Sequence, residues 1–345
     1  MVHPTNHDAK RRMIRRLCLD VLQRGPTAAE LRAYTGFPVD KVAARMLGTV
    51  EACQVFVEAE LLYFLLLDNF RPKTEAIRTL PTRLHRGQAT AHDAIAEIMT
   101  SSGFAMRNPG NDTFVTVVLE QGLGMRVQDK RNAGTLALGK RMYDGYKVRF
   151  LGSTGTSQAD VVKIVVAHPD FTRHLLDRFH RRVLRGPLPR NDQAKAQISR
   201  VHGDHRQFFT VLTEWFASPE YAAQLKVMRP RSDNQFIRSL YFDLLGRAPR
   251  YQELRNMRNA LLSMADPGPL RAVMAKVILD SGKAVLPEVQ SGGAPELVRE
   301  AFLRYLGREP SQDELAKFTA VLGEPGVDVR HLVRALVTSS EYQYY

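Results

Sequence analysis

The chain is poor in the residues that cross-link or ligate. Its 345 residues hold two cysteines, Cys18 and Cys53, and a single tryptophan. Two thiols make neither a disulfide framework nor a cysteine zinc cluster. No Cys-x-x-Cys-His occurs, so covalent haem is excluded, and no cofactor is expected. Long hydrophobic runs are missing as well. The longest, Leu61 to Leu67, is seven residues between Glu58, Glu60 and Asp68, against the roughly 20 that a membrane-spanning helix needs. Met1 to Lys10 is polar and lacks an apolar signal core. The default expectation is a cytoplasmic protein, and an exported form whose signal has been removed is the alternative. Alternating strand patterns are scarce; Thr113–Leu119 and Tyr146–Leu151 are the best of them.

Acidic charge is in deficit too. Asp and Glu number 36 against 49 Lys and Arg, for a net charge of +13. Such a balance favours an acidic partner: an acidic protein, nucleic acid or a membrane surface. The excess is uneven. Residues 1–35 and 166–200 are strongly basic, whereas residues 296–345 are slightly acidic. The last part of the chain is therefore not where an anion would be held.

What the chain does have is a phrase written three times. Leu22-Gln23-Arg24-Gly25-Pro26, Leu245-Gly246-Arg247-Ala248-Pro249 and Leu306-Gly307-Arg308-Glu309-Pro310 share the pattern L-x-R-x-P. Glu30-Leu31, Glu253-Leu254 and Glu314-Leu315 follow at a fixed spacing, and a degenerate copy ends at Arg185-Gly186-Pro187. Apolar residues recur at three and four, as in Phe236, Leu240, Leu244 and Val298, Phe302, Leu306, which is helical spacing. The proline stops the first helix of each copy. Thr27–Glu30 and Ser311–Glu314 then open the next helix as capping boxes, while the third copy, with Arg250 at the cap, keeps only Glu253. Two copies also end alike, in Ser218-Pro219-Glu220-Tyr221 and Ser339-Ser340-Glu341-Tyr342.

These spacings predict an all-α fold of tandem helical repeats, each of about three helices in roughly 61 residues. The expected divisions are a first repeat over 1–71, an inserted helical region over 72–156, a degenerate second repeat over 157–230, a third over 231–290 and a fourth over 291–345. Gly152 to Thr156 reads as a linker, with Ser157 capping the helix after it. Ser291-Gly292-Gly293 reads as a second break.

Arg15–Leu22 with Gly25–Leu31, and again Phe236–Glu253, resembles a domain of unknown function found in planctomycete-type cytochrome-associated surface proteins. Ala94–Phe114, with Gly103 and Asn108-Pro109, is similar to the middle of that domain. The resemblance implies a helical, non-catalytic module often attached to haem domains, although this chain has no haem motif and shows no export signal. The L-G-R-x-P and S-x-E-Y phrases also look like phycobilisome linker domains, which are basic helical scaffolds, over single repeats.

Each residue set with chemical promise has a structural alternative beside it. Cys18 falls where other copies place Tyr241 and Phe302, so it reads as a core side chain, and Cys53 lies in an apolar helix. His202-Gly203-Asp204-His205 offers metal ligands without a second cluster, and reads as a solvated loop. Gly152–Ser157 lacks the Lys of a phosphate loop and reads as a capped linker. Arg24, Arg247 and Arg308, together with Pro26, Pro249 and Pro310, define the repeated corner. Their arginines, and Arg185, could line up to bind a ligand; pairing with Glu30, Glu253 and Glu314 makes an ion pair or carbonyl clamp the expected role. Tyr342, Tyr344 and Tyr345 would dock on a partner or pack on the last repeat. The best binding candidates are Arg11, Arg12, Arg15 and Arg16, and the stretch Arg173–Arg190 with Arg178, Arg181, Arg182 and Arg185. The sequence therefore points to a non-enzymatic interaction or scaffold protein with a basic surface, acting on an acidic protein or on itself. The alternative is a sequence-independent nucleic-acid binder that uses residues 10–16 and 173–190.

Overall fold

The computed structural model describes residues 6–65, 74–224, 227–287 and 293–344. They are all-α, with 21 helices and one two-stranded ribbon among the described residues. The first helices are α1 (Asn6–Val21), α2 (Ala28–Thr35), α3 (Val39–Leu47), α4 (Val50–Leu65), α5 (Glu75–His85), α6 (Ala91–Met99) and α7 (Ser102–Arg107). Next come α8 (Gly110–Leu123), α9 (Ala133–Tyr143), α10 (Gln158–Val166), α11 (Pro169–Val183), α12 (Asp192–Gly203), α13 (Phe208–Phe216) and α14 (Pro219–Ala223). The chain ends with α15 (Asp233–Leu245), α16 (Tyr251–Leu262), α17 (Gly268–Asp280), α18 (Gly293–Ala301), α19 (Gln312–Leu322), α20 (Val329–Val337) and α21 (Ser340–Gln343). Helix α18 runs on through a π-helical segment, Phe302–Leu306.

Two compact units divide the chain: Met1–Met46 with Ala222–Tyr345, and Leu47–Tyr221. The boundaries fall inside the expected first and second repeats. The physical reason lies in α1, whose residues Ile14 to Leu19 are buried on every side. Arg15 Nη2 donates to the Tyr305 carbonyl (3.0 Å) and Gln235 Nε2 to the Leu19 carbonyl (3.0 Å), while Ser239 Oγ accepts from the Gly25 amide (3.2 Å). The opening helix is thus a core element of the C-terminal unit. Residues 157–221, expected to start a tandem set with 231–345, cluster instead with 47–156.

The three corners are built alike. Gln23, Gly246 and Gly307 adopt the left-handed conformation at φ 56°, 64° and 71°. Each is followed by the arginine, whose guanidinium forks onto a glutamate: Arg24 on Glu30 (2.7 and 2.7 Å), Arg247 on Glu253 (2.8 and 2.8 Å), Arg308 on Glu314 (2.7 and 2.7 Å). The same Nη1 reaches the next carbonyl, of Gly25, Ala248 or Glu309. Both expected roles, ion pair and carbonyl clamp, are present at once. The glutamate also accepts from the cap amide of Thr27, Arg250 or Ser311, so one carboxylate ties the corner to the start of the next helix. Arg247 and Arg308 hold Glu253 and Glu314 down at about 2. In the degenerate copy it is Arg185 itself that takes the left-handed position, at φ 62°. Its register matches Gln23, not Arg24.

In the Leu47–Tyr221 unit, Thr113–Leu119 is helical, not a strand. Phe114, Val115, Val118 and Leu119 are all fully buried, at the three-and-four spacing of one face of α8. Tyr146–Leu151 does contain a strand, Val148–Phe150, paired antiparallel with Ser153–Gly155 through a turn at Leu151 and Gly152. The expected linker at Gly152 is therefore the return of a hairpin. Ser157 then caps α10 by accepting from the Asp160 amide (3.2 Å). Ser291 and Gly292 lie outside the described residues.

Candidate functional site

The basic stretch of the Leu47–Tyr221 unit is laid out by α11, α12 and the loop between them. His168 caps α11 by accepting from the Asp170 amide, with Pro169 at its first position. One face of α11 goes into the core through Phe171, Leu175, Leu176, Phe179 and Val183. The opposite face sets Arg173, Asp177 and Arg181 in a row at four-residue spacing. Asn191 caps α12 by accepting from the Ala194 amide (2.9 Å), which turns Lys195 and Ile198 toward that row.

Between them lies a groove of about 500 Å³. Arg173, Arg181, Arg190 and Lys195 surround it, and Leu188, Ile198, Pro187 and Pro189 supply apolar floor. The loop is held in place from α11. Asp177 takes the Leu188 amide on Oδ1 (2.7 Å) and Arg181 Nε on Oδ2 (2.9 Å), while His180 Nδ1 lies 2.7 Å from the Gly186 carbonyl. Burial pushes the Asp177 carboxyl up, and Arg181 with the Leu188 amide more than offsets this, leaving it below its ordinary range. Arg173 and Lys195 also carry local partners, Asp170 (3.0 Å) and Asp192 (2.8 Å). All three pairs involve cations more than half exposed. Exposed pairs of this kind are weak, at roughly 0–1 kcal/mol, and can exchange for an incoming carboxylate. Arg190 is exposed with no hydrogen-bond or ion-pair partner among the described residues.

The other basic candidates do not share that surface. Arg178 is a correction to the sequence reading: its guanidinium forks onto the buried Glu60 (2.7 and 3.3 Å) and lies 3.9 Å over the Tyr63 ring. It ties α11 to α4. Arg15 and Arg16 are corrections of the same kind, at 8% and 4% exposure. Arg16 pairs with Asp20 (3.1 Å), and burial, with Arg231 nearby, lowers Arg15 to about 9. Of the N-terminal set Arg12 is exposed, and Arg11 is paired with Glu309 (2.9 Å). Arg182 is half-buried with its guanidinium 5.8 Å from the Phe179 ring centre, and Arg185 is exposed in the turn.

Cys18 is buried, 3.9 Å from Met46 Sδ, and burial pushes the Cys53 thiol up to about 11. Tyr342 is fully buried and donates to Asp243 (2.7 Å); Tyr344 is partly exposed, and Tyr345 lies outside the described residues. Tyr221 and Tyr342, from the two matching end phrases, are both fully buried, each with its amide on the serine three residues earlier.

His202 and His205 gain a third member that the sequence did not signal. His92, from α6, stacks flat on His205 at 3.7 Å, and its Nε2 is 3.0 Å from Thr172 Oγ1, which lies 3.5 Å from His202 Nδ1. His92 is 1% exposed. Burial, with His205 beside it, lowers it to about 3. No group of three His, Cys, Asp or Glu among the described residues could hold a metal ion. No helix among them is long and apolar enough to cross a membrane.

No protein-family model and no curated protein matches the chain.

Proposed function

We propose that this chain is a non-enzymatic interaction protein that takes an acidic segment of a protein partner into the groove between α11 and α12. The observation that carries the proposal is the groove itself: four cationic side chains around an apolar floor, in a volume that suits a few side chains. The residues lining it include no thiol, hydroxyl or imidazole, and its one carboxylate is engaged by Arg181 and the Leu188 amide. This chemistry favours holding a carboxylate beside an apolar side chain over turning a substrate over. The likeness of the L-G-R-x-P corners to linker domains of phycobilisomes supports a scaffolding role.

A nucleic-acid reading draws less support. It needs a run of free cations along a backbone, and Arg15 and Arg16 are buried while Arg178 is part-buried and locked onto Glu60. The test is fluorescence anisotropy on the full chain, with a labelled oligo-glutamate peptide containing leucines and a single-stranded oligonucleotide of equal charge. The proposal expects tighter binding of the peptide, lost on Arg181→Glu with Arg190→Glu. Tighter binding of the oligonucleotide, falling steeply between about 50 and 200 mM salt, would overturn it in favour of nucleic acid.

A further inference from the structure

Helix α17 breaks a rule that its counterparts keep. It buries Ala275, Ile278 and Leu279 and turns Val273 and Val277 to solvent at 53% and 62% exposure. Helix α20 buries Leu332, Val333, Leu336 and Val337 with the same spacing, and α3 buries Val42, Ala43, Met46 and Leu47. The outward positions that match Val273 and Val277 are His331 and Ala335 on α20, and Lys41 and Arg45 on α3. The local fold thus tolerates polar or small residues there. An exposed valine pair is costly twice over, because valine is a weak helix former and its methyls stay in water. Local choices that oppose fold stability mark places kept for another purpose.

The neighbouring surface says what would cover the pair. Helix α20 packs beside α17 and carries Arg330 and Arg334 on its outward face, so the last segment, slightly acidic as a whole and not expected to hold an anion, still presents a local basic row. Neither guanidinium has an ion-pair partner among the described residues. Both act on Asp280, the last residue of α17, which is paired with Lys276 (2.7 Å). Lys276, Arg330 and Arg334 therefore gather around Asp280 at the end of the apolar row, and the other carboxylate close by, Asp328, is engaged by His331 and the Arg330 amide at the start of α20. A second copy of this chain would bring like charge to that face. An apolar row beside a basic row at four-residue spacing fits one side of a helix.

We infer that the outward faces of α17 and α20 form a docking site for a partner's amphipathic helix, with its apolar face on Val273 and Val277 and an acidic edge against Arg330 and Arg334. This surface belongs to the other unit from the α11–α12 groove, and each proposal stands or falls alone.

The test uses the full chain and a labelled amphipathic peptide of roughly five turns, with leucines on one face and glutamates along one edge. A control peptide has lysines in place of the glutamates. Val277→Asp should weaken binding of the glutamate peptide about tenfold or more. Arg330→Glu with Arg334→Glu should reverse the preference, so that the lysine peptide binds better. All measurements are made in an Arg181→Glu, Arg190→Glu background, which closes the α11–α12 groove to the peptide. Equal binding of the two peptides in that background, or indifference to Val277→Asp, would overturn the inference. So would a dimer in light scattering that Val277→Asp dissociates, which would assign the face to a second copy. The variants change exposed side chains only, and an unaltered far-UV spectrum is required of each.

Discussion

Acid should weaken the Leu47–Tyr221 unit in a way that one residue dominates. His92 is packed between Thr172 and the His205 ring with 1% of its surface exposed. Burial lowers it from an ordinary 6.5 to about 3, His205 and His202 act in the same direction, and Asp93 opposes them. A depressed basic group contributes stability that is complete above its unfolded value and is lost as the pH falls toward its folded value. The window is therefore about 6.5 down to about 3. At pH 5 the unfolded chain binds a proton at this position and the folded chain does not, a difference of about 2 kcal/mol for His92 alone. His174 is lowered to about 4, chiefly by burial, and His205 is lowered as well, so both steepen the same slope. The chain's single tryptophan, Trp215, lies in this unit with its indole N–H on Gln197. Its fluorescence isolates the unit in a urea titration. For an m-value of about 2 kcal/mol/M, the midpoint should fall by about 1 M or more between pH 8 and pH 5, and His92→Leu should flatten the dependence. A midpoint that stays level across that range in the natural chain would refute the reasoning. So would a His92 ring resonance that titrates near 6.5.

Other outcomes follow from particular contacts. Gly307→Ala should cost more than Gly246→Ala in thermal melts followed by far-UV circular dichroism. Both pay about 1–2 kcal/mol for a left-handed non-glycine, but only at Gly307 would the new methyl meet a side chain, Arg15 Cδ at 2.8 Å. Glu60→Ala should destabilise the Trp215-bearing unit by about 3–5 kcal/mol, because it strands the Arg178 guanidinium in a nearly closed site; a loss under 1 kcal/mol, as for surface pairs, would show that Arg178 is free to serve a ligand after all. Tyr342→Phe should cost about 1.5–3 kcal/mol in the other unit by removing the donor to buried Asp243.

The corners were legible in the sequence because they are short-range and repeated. Arginine, glutamate and cap residue lie within six positions of one another, and three occurrences fix their common geometry. The core role of Cys18 was legible for the same reason, through its counterparts Tyr241 and Phe302. What failed was the reading of isolated charge. Arg15 and Arg16 follow Ile14 in a helix that is buried all round, and nothing in α1 itself announces that elements more than 200 residues later enclose it. His92 was silent for the same reason: its partners, Thr172 and His205, arrive from α11 and from the turn after α12. The Thr113–Leu119 run misled because a fully buried helix face and a short strand read alike over seven residues.

Buried charge also changes what the basic composition means. Arg15, Arg16, Arg24, Arg231, Arg238 and Arg271 are all buried, against the buried acids Glu60 and Asp243. Part of the net charge of +13 is therefore internal, where it fixes helices to one another and is closed to a partner. A uniform basic coat would attract any polyanion with a steep dependence on salt. Basic residues gathered at a groove and along one helix, each beside apolar surface, would instead select partners that carry acidic and apolar groups at matched spacing. Salt would then slow association while leaving much of the bound contact in place, because the apolar part is not screened.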